Sequence, residues 1–135
     1  MLCLDTNVVV GLMTGRNHAI RLRFEAERLA GSQLTLSVIV LFELRFGAAN
    51  SGRPEGNARA LERFLAEKFE ILGFDPDDAA EAGAIRAHLR ARGTPIGPYD
   101  ILIAAQVRRR GATLVTSNLR EFKRVPGLIV TDWAA

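Results

Sequence analysis

Fifteen aspartates and glutamates are spread along the 135 residues, and most need no chemistry to explain them. Glu25, Glu27, Glu55, Glu62, Glu67, Asp77, Asp78 and Glu81 have basic or polar neighbours or sit where a helix would begin, so they read as solvated helix charges. Asp5, Glu43 and Asp100 are different. Asp5 closes the hydrophobic stretch Met1 to Leu4, at the end where ligand sites of parallel sheets gather, although a turn or helix cap would use an aspartate there too. Glu43 has Ile39, Val40, Phe46 and Gly47 as its helical neighbours, with no local cation and with Arg45 directed elsewhere. Buried and unpaired, such a carboxylate costs on the order of several kcal/mol, comparable to a domain's whole margin of stability, unless a distant arginine, a proton or a metal compensates it. Asp100 stands two residues after Pro98 in the first turn of a helix and is followed by apolar Ile103 and Ala104; the helix dipole alone would also favour an acid there.

A further polar cluster, Thr116, Ser117 and Asn118 with Glu121, follows the stretch Ala112 to Thr116. If the strands that precede these segments end at one edge of a sheet, three or four oxygen ligands meet there and repel one another. A hard divalent cation such as Mg2+ or Mn2+ resolves that repulsion.

The elements that would position these groups alternate in type. Met1–Leu4 reads as a short buried strand and Val8–Met13 as the start of a helix; Ile20–Ala30 is a second helix with Ile20, Phe24 and Leu29 facing inward. Leu34–Ser37 is the second strand, and Ser37 can cap a helix that carries Glu43 and stops near Gly47. Asn57–Lys68 is amphipathic through Leu61, Phe64 and Leu65, and Phe69–Phe74 is the third strand. Pro76–Arg92 runs from acids to arginines, matching a helix dipole, and Gly93 ends it. Pro98 opens a helix to about Arg110, Ala112–Thr116 is the fourth strand, and Leu128–Thr131 a short last one. Alternation of this kind predicts a mostly parallel sheet of four to five strands, covered on both faces.

Composition bounds the rest. At 48% hydrophobic and 24% charged residues the chain has ordinary globular usage, and no repeat or linker divides it, which predicts one domain over residues 1–135. One cysteine, Cys3, cannot form an internal disulfide, and with only His18 and His88 beside it a structural zinc site lacks ligands. The longest mostly apolar run, Leu34 to Phe42, is nine residues, well short of the ~20 that cross a bilayer, and no basic leader precedes Asp5; cytoplasmic residence without a membrane is expected. Lysine plus arginine number 18 against 15 acids, a net charge of +3 that permits nucleic-acid binding without requiring it.

Four motifs in order complete the picture: Leu4, Asp5, Thr6, Asn7 and Val8; Glu43 on an early helix; Asp100 opening the run to Ala105; and Thr116, Ser117 and Asn118 before Glu121, Phe122 and the segment Lys123 to Gly127. In them, from Met1 to about Trp133, the chain resembles the PIN-domain ribonucleases, most closely the VapC-type toxins of bacterial toxin–antitoxin pairs. The resemblance implies a three-layer α/β/α sandwich in which Asp5, Glu43 and Asp100 hold Mg2+ or Mn2+. Asn118 falls where many PIN domains carry a fourth acid, leaving a neutral amide that can still ligate; Glu121 is a possible substitute. Thr6 and Ser117 would orient ligands or the scissile phosphate.

The activity so implied is metal-dependent endoribonuclease cleavage leaving 5′-phosphate and 3′-hydroxyl ends, with Asp5 and Asp100 as main ligands and Glu43 acting through water. A metal-free ribonuclease built on paired histidines is disfavoured, because His18 and His88 fall in helices away from the acids. Arg108, Arg109 and Arg110 with Arg120, Lys123 and Arg124 are candidates for a basic rim that captures RNA. The partners implied are a cognate antitoxin, an RNA substrate with transfer RNA among the candidates, and a second copy of the chain, with Val8, Val9, Val10, Leu12 and Phe46 as possible contact surface. Two other classes would use similar acids: a PIN nuclease of RNA maturation or DNA-flap processing, and a receiver-like phosphoacceptor domain. The latter normally needs an acidic pair after the first strand, which Asp5 followed by Thr6 does not provide.

Overall fold

The computed structural model describes residues 1–66 and 68–134. Glu67, read above as a solvated charge, lies outside them. Five strands, β1 (Leu2–Leu4), β2 (Leu34–Ser37), β3 (Glu70–Leu72), β4 (Thr113–Val115) and β5 (Ile129–Thr131), form one sheet in the order β3-β2-β1-β4-β5. Every pairing is parallel, with Leu2 opposite both Leu34 and Thr113. The central strands bury Cys3, Leu4, Leu36, Leu114 and Val115 completely, as a sheet covered on both faces requires.

Seven helices fill the connections among the described residues: α1 (Thr6–Thr14), α2 (His18–Leu29), α3 (Val38–Ala49), α4 (Pro54–Leu65), α5 (Pro76–Ala91), α6 (Pro98–Arg109) and α7 (Leu119–Phe122). Their starts are written locally. Ser37 Oγ accepts the Ile39 N–H at the head of α3, Asn17 accepts the Ile20 N–H at the head of α2, and Asp75 and Asp78 form a reciprocal capping box ahead of α5. Pro98 occupies the first turn of α6, where its missing N–H leaves no gap. At the other end of α1, Gly15 takes φ 66°, the left-handed conformation that lets the chain turn back. No helix among the described residues is long and apolar enough to cross a membrane.

Two expectations about faces are corrected. Ile20 and Phe24 are buried, but Leu29 is 88% exposed: it is the last residue of α2, where the helix has already left the core. The helix carrying Glu43 runs past Gly47 to Ala49, because a glycine with open space around it can continue a helix at modest cost.

Because the sheet is entirely parallel, the carboxyl ends of all five strands lie along one edge. The order reverses at β1, with β2 and β3 on one side and β4 and β5 on the other, so the crevice between β1 and β4 is the topological switch point. Gln106 of α6, fully buried, braces this region: it accepts from Ser37 Oγ and donates to the Leu72 and Gly73 carbonyls at 3.0 Å. One side chain thus ties the helix bearing Asp100 to the cap of the helix bearing Glu43.

Candidate active site

Asp5 stands directly after β1 at the switch point and is 7% exposed. One carboxylate oxygen caps α1 by accepting the Thr6 N–H at 2.8 Å; the other accepts the Thr116 hydroxyl, immediately after β4, at 2.8 Å. The Asp5 N–H in turn donates to the Val115 carbonyl at 2.9 Å. Two strand ends are therefore stitched together through this one acid. Burial pushes its pKa above the ordinary aspartate range, the hydrogen bonds from Thr116 and Thr6 oppose that, and the charge of Glu121 adds to it.

Glu43 lies half-buried on the second turn of α3, and Thr6 Oγ1 donates to its Oε1 at 2.8 Å. The cation that sequence proximity offers is taken elsewhere: Arg45 reaches Glu62 at 3.4 Å. So Glu43 is not the deeply buried, unsatisfied charge its apolar neighbours suggest. A hydroxyl satisfies it and solvent reaches it.

Asp100, also half-buried, sits in the first turn of α6. Burial, then the charges of Asp5 and Glu121, a hydrogen bond with Glu121 and the charge of Glu43 push its pKa up to about 7. Burial is the largest cause, and the charges of three other acids add to it. Glu121, on α7, also accepts from the Asn118 side-chain amide, and the Asn118 N–H donates to Thr116 Oγ1 at 3.0 Å. Ser117 is exposed; the hydroxyl that holds Asp5 belongs to Thr116, a residue the sequence placed in the cluster without a role.

Among the described residues none of these four acids forms an ion pair. Nor, among the described residues, is any group of three or more aspartate, glutamate, histidine or cysteine side chains placed to hold a metal ion together. The donor set still suits a hard divalent cation, since Mg2+ commonly takes one or two carboxylates and completes its sphere with water and phosphate oxygens. Uncompensated carboxylates that repel strongly enough to hold one proton near neutrality are what such an ion would relieve.

The arginines at the end of α6 do not form a basic rim. Arg109 pairs with Asp78 and Asp75 and Arg110 with Asp78, each at 2.8 Å, while Arg108 bonds Glu81 at 3.1 Å and the Pro126 carbonyl at 3.0 Å. Asp78 is correspondingly not a solvated charge: it is 0% exposed, locked between two guanidiniums. Arg124 is likewise engaged, on the Pro95 carbonyl. Arg120 and Lys123 stay exposed and outside the ion pairs found among the described residues. His18 and His88 lie in α2 and α5, elements that carry none of the four acids.

Gly97 contributes a constraint that its sequence context, a glycine and a proline just ahead of an acid, only hints at. A Cβ there would stand 3.3 Å from Asp100 Oδ2, so Gly97→Ala must displace that carboxylate by a few tenths of an ångström. The φ of −56° suits alanine, so folding should change by only about 0.5–1 kcal/mol, the difference between glycine and alanine at a helix cap. Activity measured beside thermal melting should show a severalfold loss of rate with a nearly unchanged melting temperature. Unchanged activity would mean that the Asp100 position tolerates such a shift.

Comparison with known proteins gives the family and the fold. Residues 2–128 match the PIN domain family. The tRNA(fMet)-specific endonuclease VapC of Salmonella typhimurium is 42% identical over 130 residues, 96% of each chain. Among solved structures, VapBC2 from Rickettsia felis bound to a promoter DNA fragment superposes with a TM-score of 0.90 at 34% identity, covering 98% of both chains. DNA-bound VapBC from Salmonella typhimurium gives 0.89 at 40% identity, covering 98% of this chain and 97% of that one.

Proposed function

This chain belongs to the PIN-domain family, among its VapC ribonucleases, and from that premise we propose that it is the endoribonuclease toxin of a toxin–antitoxin pair, hydrolysing RNA with the help of Mg2+ or Mn2+. The observation that supports the metal dependence is that the charges of Asp5, Glu121 and Glu43 all act on Asp100, with no arginine or lysine paired to any of the four among the described residues. Asp5 and Asp100 would hold the ion, which when bound supplies Lewis-acid polarisation of a phosphate and makes water more acidic.

The remaining roles fall to the protein's own groups. Thr116 and the Thr6 N–H fix both oxygens of Asp5, so its carboxylate does not need to reorganise when charge develops nearby. Thr6 Oγ1 aims Glu43, which would orient the attacking water and take up its proton. Asn118 steadies Glu121. Arg120 and Lys123 remain available for flanking phosphates, so the +3 charge acts locally rather than through the paired arginines of α6.

Transfer RNA is the first substrate to test, because the Salmonella relative is named for one. Cleavage should stop in EDTA, return with Mn2+ or Mg2+, and leave 5′-phosphate and 3′-hydroxyl ends. Cyclic-phosphate ends, or full cutting in chelator, would refute the hydrolytic metal mechanism. The partner is a cognate antitoxin. Of the five apolar residues considered for contacts between chains, Val8, Val9 and Leu12 are core, whereas Val10 and Phe46 are exposed.

A further inference from the structure

Phe42 and Tyr99 are large aromatic residues left 50% and 47% exposed, and they are the residues immediately before Glu43 and Asp100. They come from different helices, yet their rings meet edge to face, with centroids 5.5 Å apart and planes at 64°. An aromatic pair held half in water is not explained by core packing, because core aromatics are covered. Tyr99 also lines a groove of about 810 Å³ between α5 and α6, whose walls include Leu89, Ile96 and Ile101 and which carries Arg86 and Arg90. These two arginines are four residues apart, on one face of α5, exposed, and outside the ion pairs found among the described residues.

We propose that Phe42 and Tyr99 form a stacking platform for an unpaired base of the RNA being cut, next to the scissile phosphate, with Arg86 and Arg90 holding the backbone phosphates of the strand that continues along the groove. Aromatic faces for bases beside cations for phosphates are the combination by which proteins hold single-stranded nucleic acid. The rings belong to the residues that precede two of the acids on α3 and α6, so a base stacked on them is held by the same helical turns that carry the reacting groups. Charge favours RNA over a second copy of this chain: the groove presents guanidiniums without acidic partners of its own, which a polyanion satisfies. This inference rests on RNA being the substrate and adds where its bases bind.

The test uses the wild-type chain with Tyr99→Leu, Phe42→Leu, Tyr99→Phe and the double change Arg86→Gln with Arg90→Gln. Cleavage of pooled bacterial transfer RNA in Mn2+ gives kcat and KM; a single-stranded RNA octamer with a central 2-aminopurine reports stacking by fluorescence quenching; light scattering gives the mass in solution. Loss of either aromatic ring should raise KM by about tenfold, with the loss falling on KM rather than kcat, and abolish the quenching, whereas Tyr99→Phe keeps both. The arginine changes should raise KM and flatten its dependence on salt. Unchanged KM, no quenching by the wild type, or a rise in KM that tracks a fall in mass would each overturn the platform, the last by assigning the rings to a contact between copies. Wild-type protein that cuts no RNA at all would instead overturn the ribonuclease reading, and the two failures are distinguishable.

Discussion

Asp100→Asn is expected to lower RNA cleavage by at least about two orders of magnitude, the scale on which loss of one preorganised electrostatic contact is felt in catalysis, while making the metal-free protein more stable at neutral pH. The two effects have one origin. Burial and then the charges around Asp100 raise its carboxyl to about 7 in the folded chain, against about 4 when unfolded. Between those values the folded state holds the extra proton, so stability is fully present below about pH 4 and is lost as pH rises through about 7. Asparagine carries no titrating proton and escapes that loss. Melting curves in EDTA should therefore coincide near pH 4 and separate by pH 8, with the Asn protein higher. Adding Mn2+ should raise the melting temperature of the wild type and leave Asp100→Asn nearly unmoved, because only the former gains by binding. Parallel pH dependence in the two proteins would show that the carboxylates do not crowd one another. Full activity of the Asn protein would remove Asp100 from the reaction.

The largest effect on folding is expected far from the acids, at Asp78. Its carboxylate has no solvent exposure, accepts from Arg109, Arg110 and the Asp75 N–H, and so joins the start of α5 to the end of α6. Burial alone would raise its pKa; the hydrogen bonds from Arg110 and Arg109 and from the Asp75 backbone outweigh burial and hold it down to about 2. Asp78→Ala leaves Arg110 without its carboxylate and Arg109 with Asp75 alone, both with partial access to water, and opens the capping box. A loss of about 3 kcal/mol follows, on the order of 10 °C in melting temperature for a chain of this size. The sign of the pH dependence is opposite to that of Asp100: a depressed folded pKa gives stability that is present above about pH 4 and lost as pH falls through about 2. The wild type should lose stability across that acid window and Asp78→Ala should lose less. Urea unfolding at pH 2, 4 and 7 reads both, and identical midpoints for the two proteins at pH 7 would show that the network contributes nothing.

Much of this was legible before any tertiary structure. Caps and punctuation are local: Ser37, Pro76, Gly93 and Pro98 announce where helices begin or end, and the alternation of strand with helix implies a parallel sheet whose carboxyl edge collects Asp5 and the segment after β4. The anomalous acids were visible for the same reason, since an i±3 or i±4 neighbour list needs only a helical register.

What the sequence could not supply was the identity of partners across the fold. The hydroxyl that donates to Asp5 lies 111 residues away, the one that donates to Glu43 lies 37 away, and the acids claimed by Arg109 lie 31 and 34 away. Arg109 and Arg110 looked like charge for RNA and Asp78 like charge for water; they became one another's counterions once α5 folded against α6. Residue type and spacing along the chain determined the elements, the sheet and which carboxylates lacked local compensation. Which groups compensate them was decided only by tertiary packing, because electrostatic and hydrogen-bond energies depend on distance in space and fall away over a few ångströms, whatever the separation in sequence.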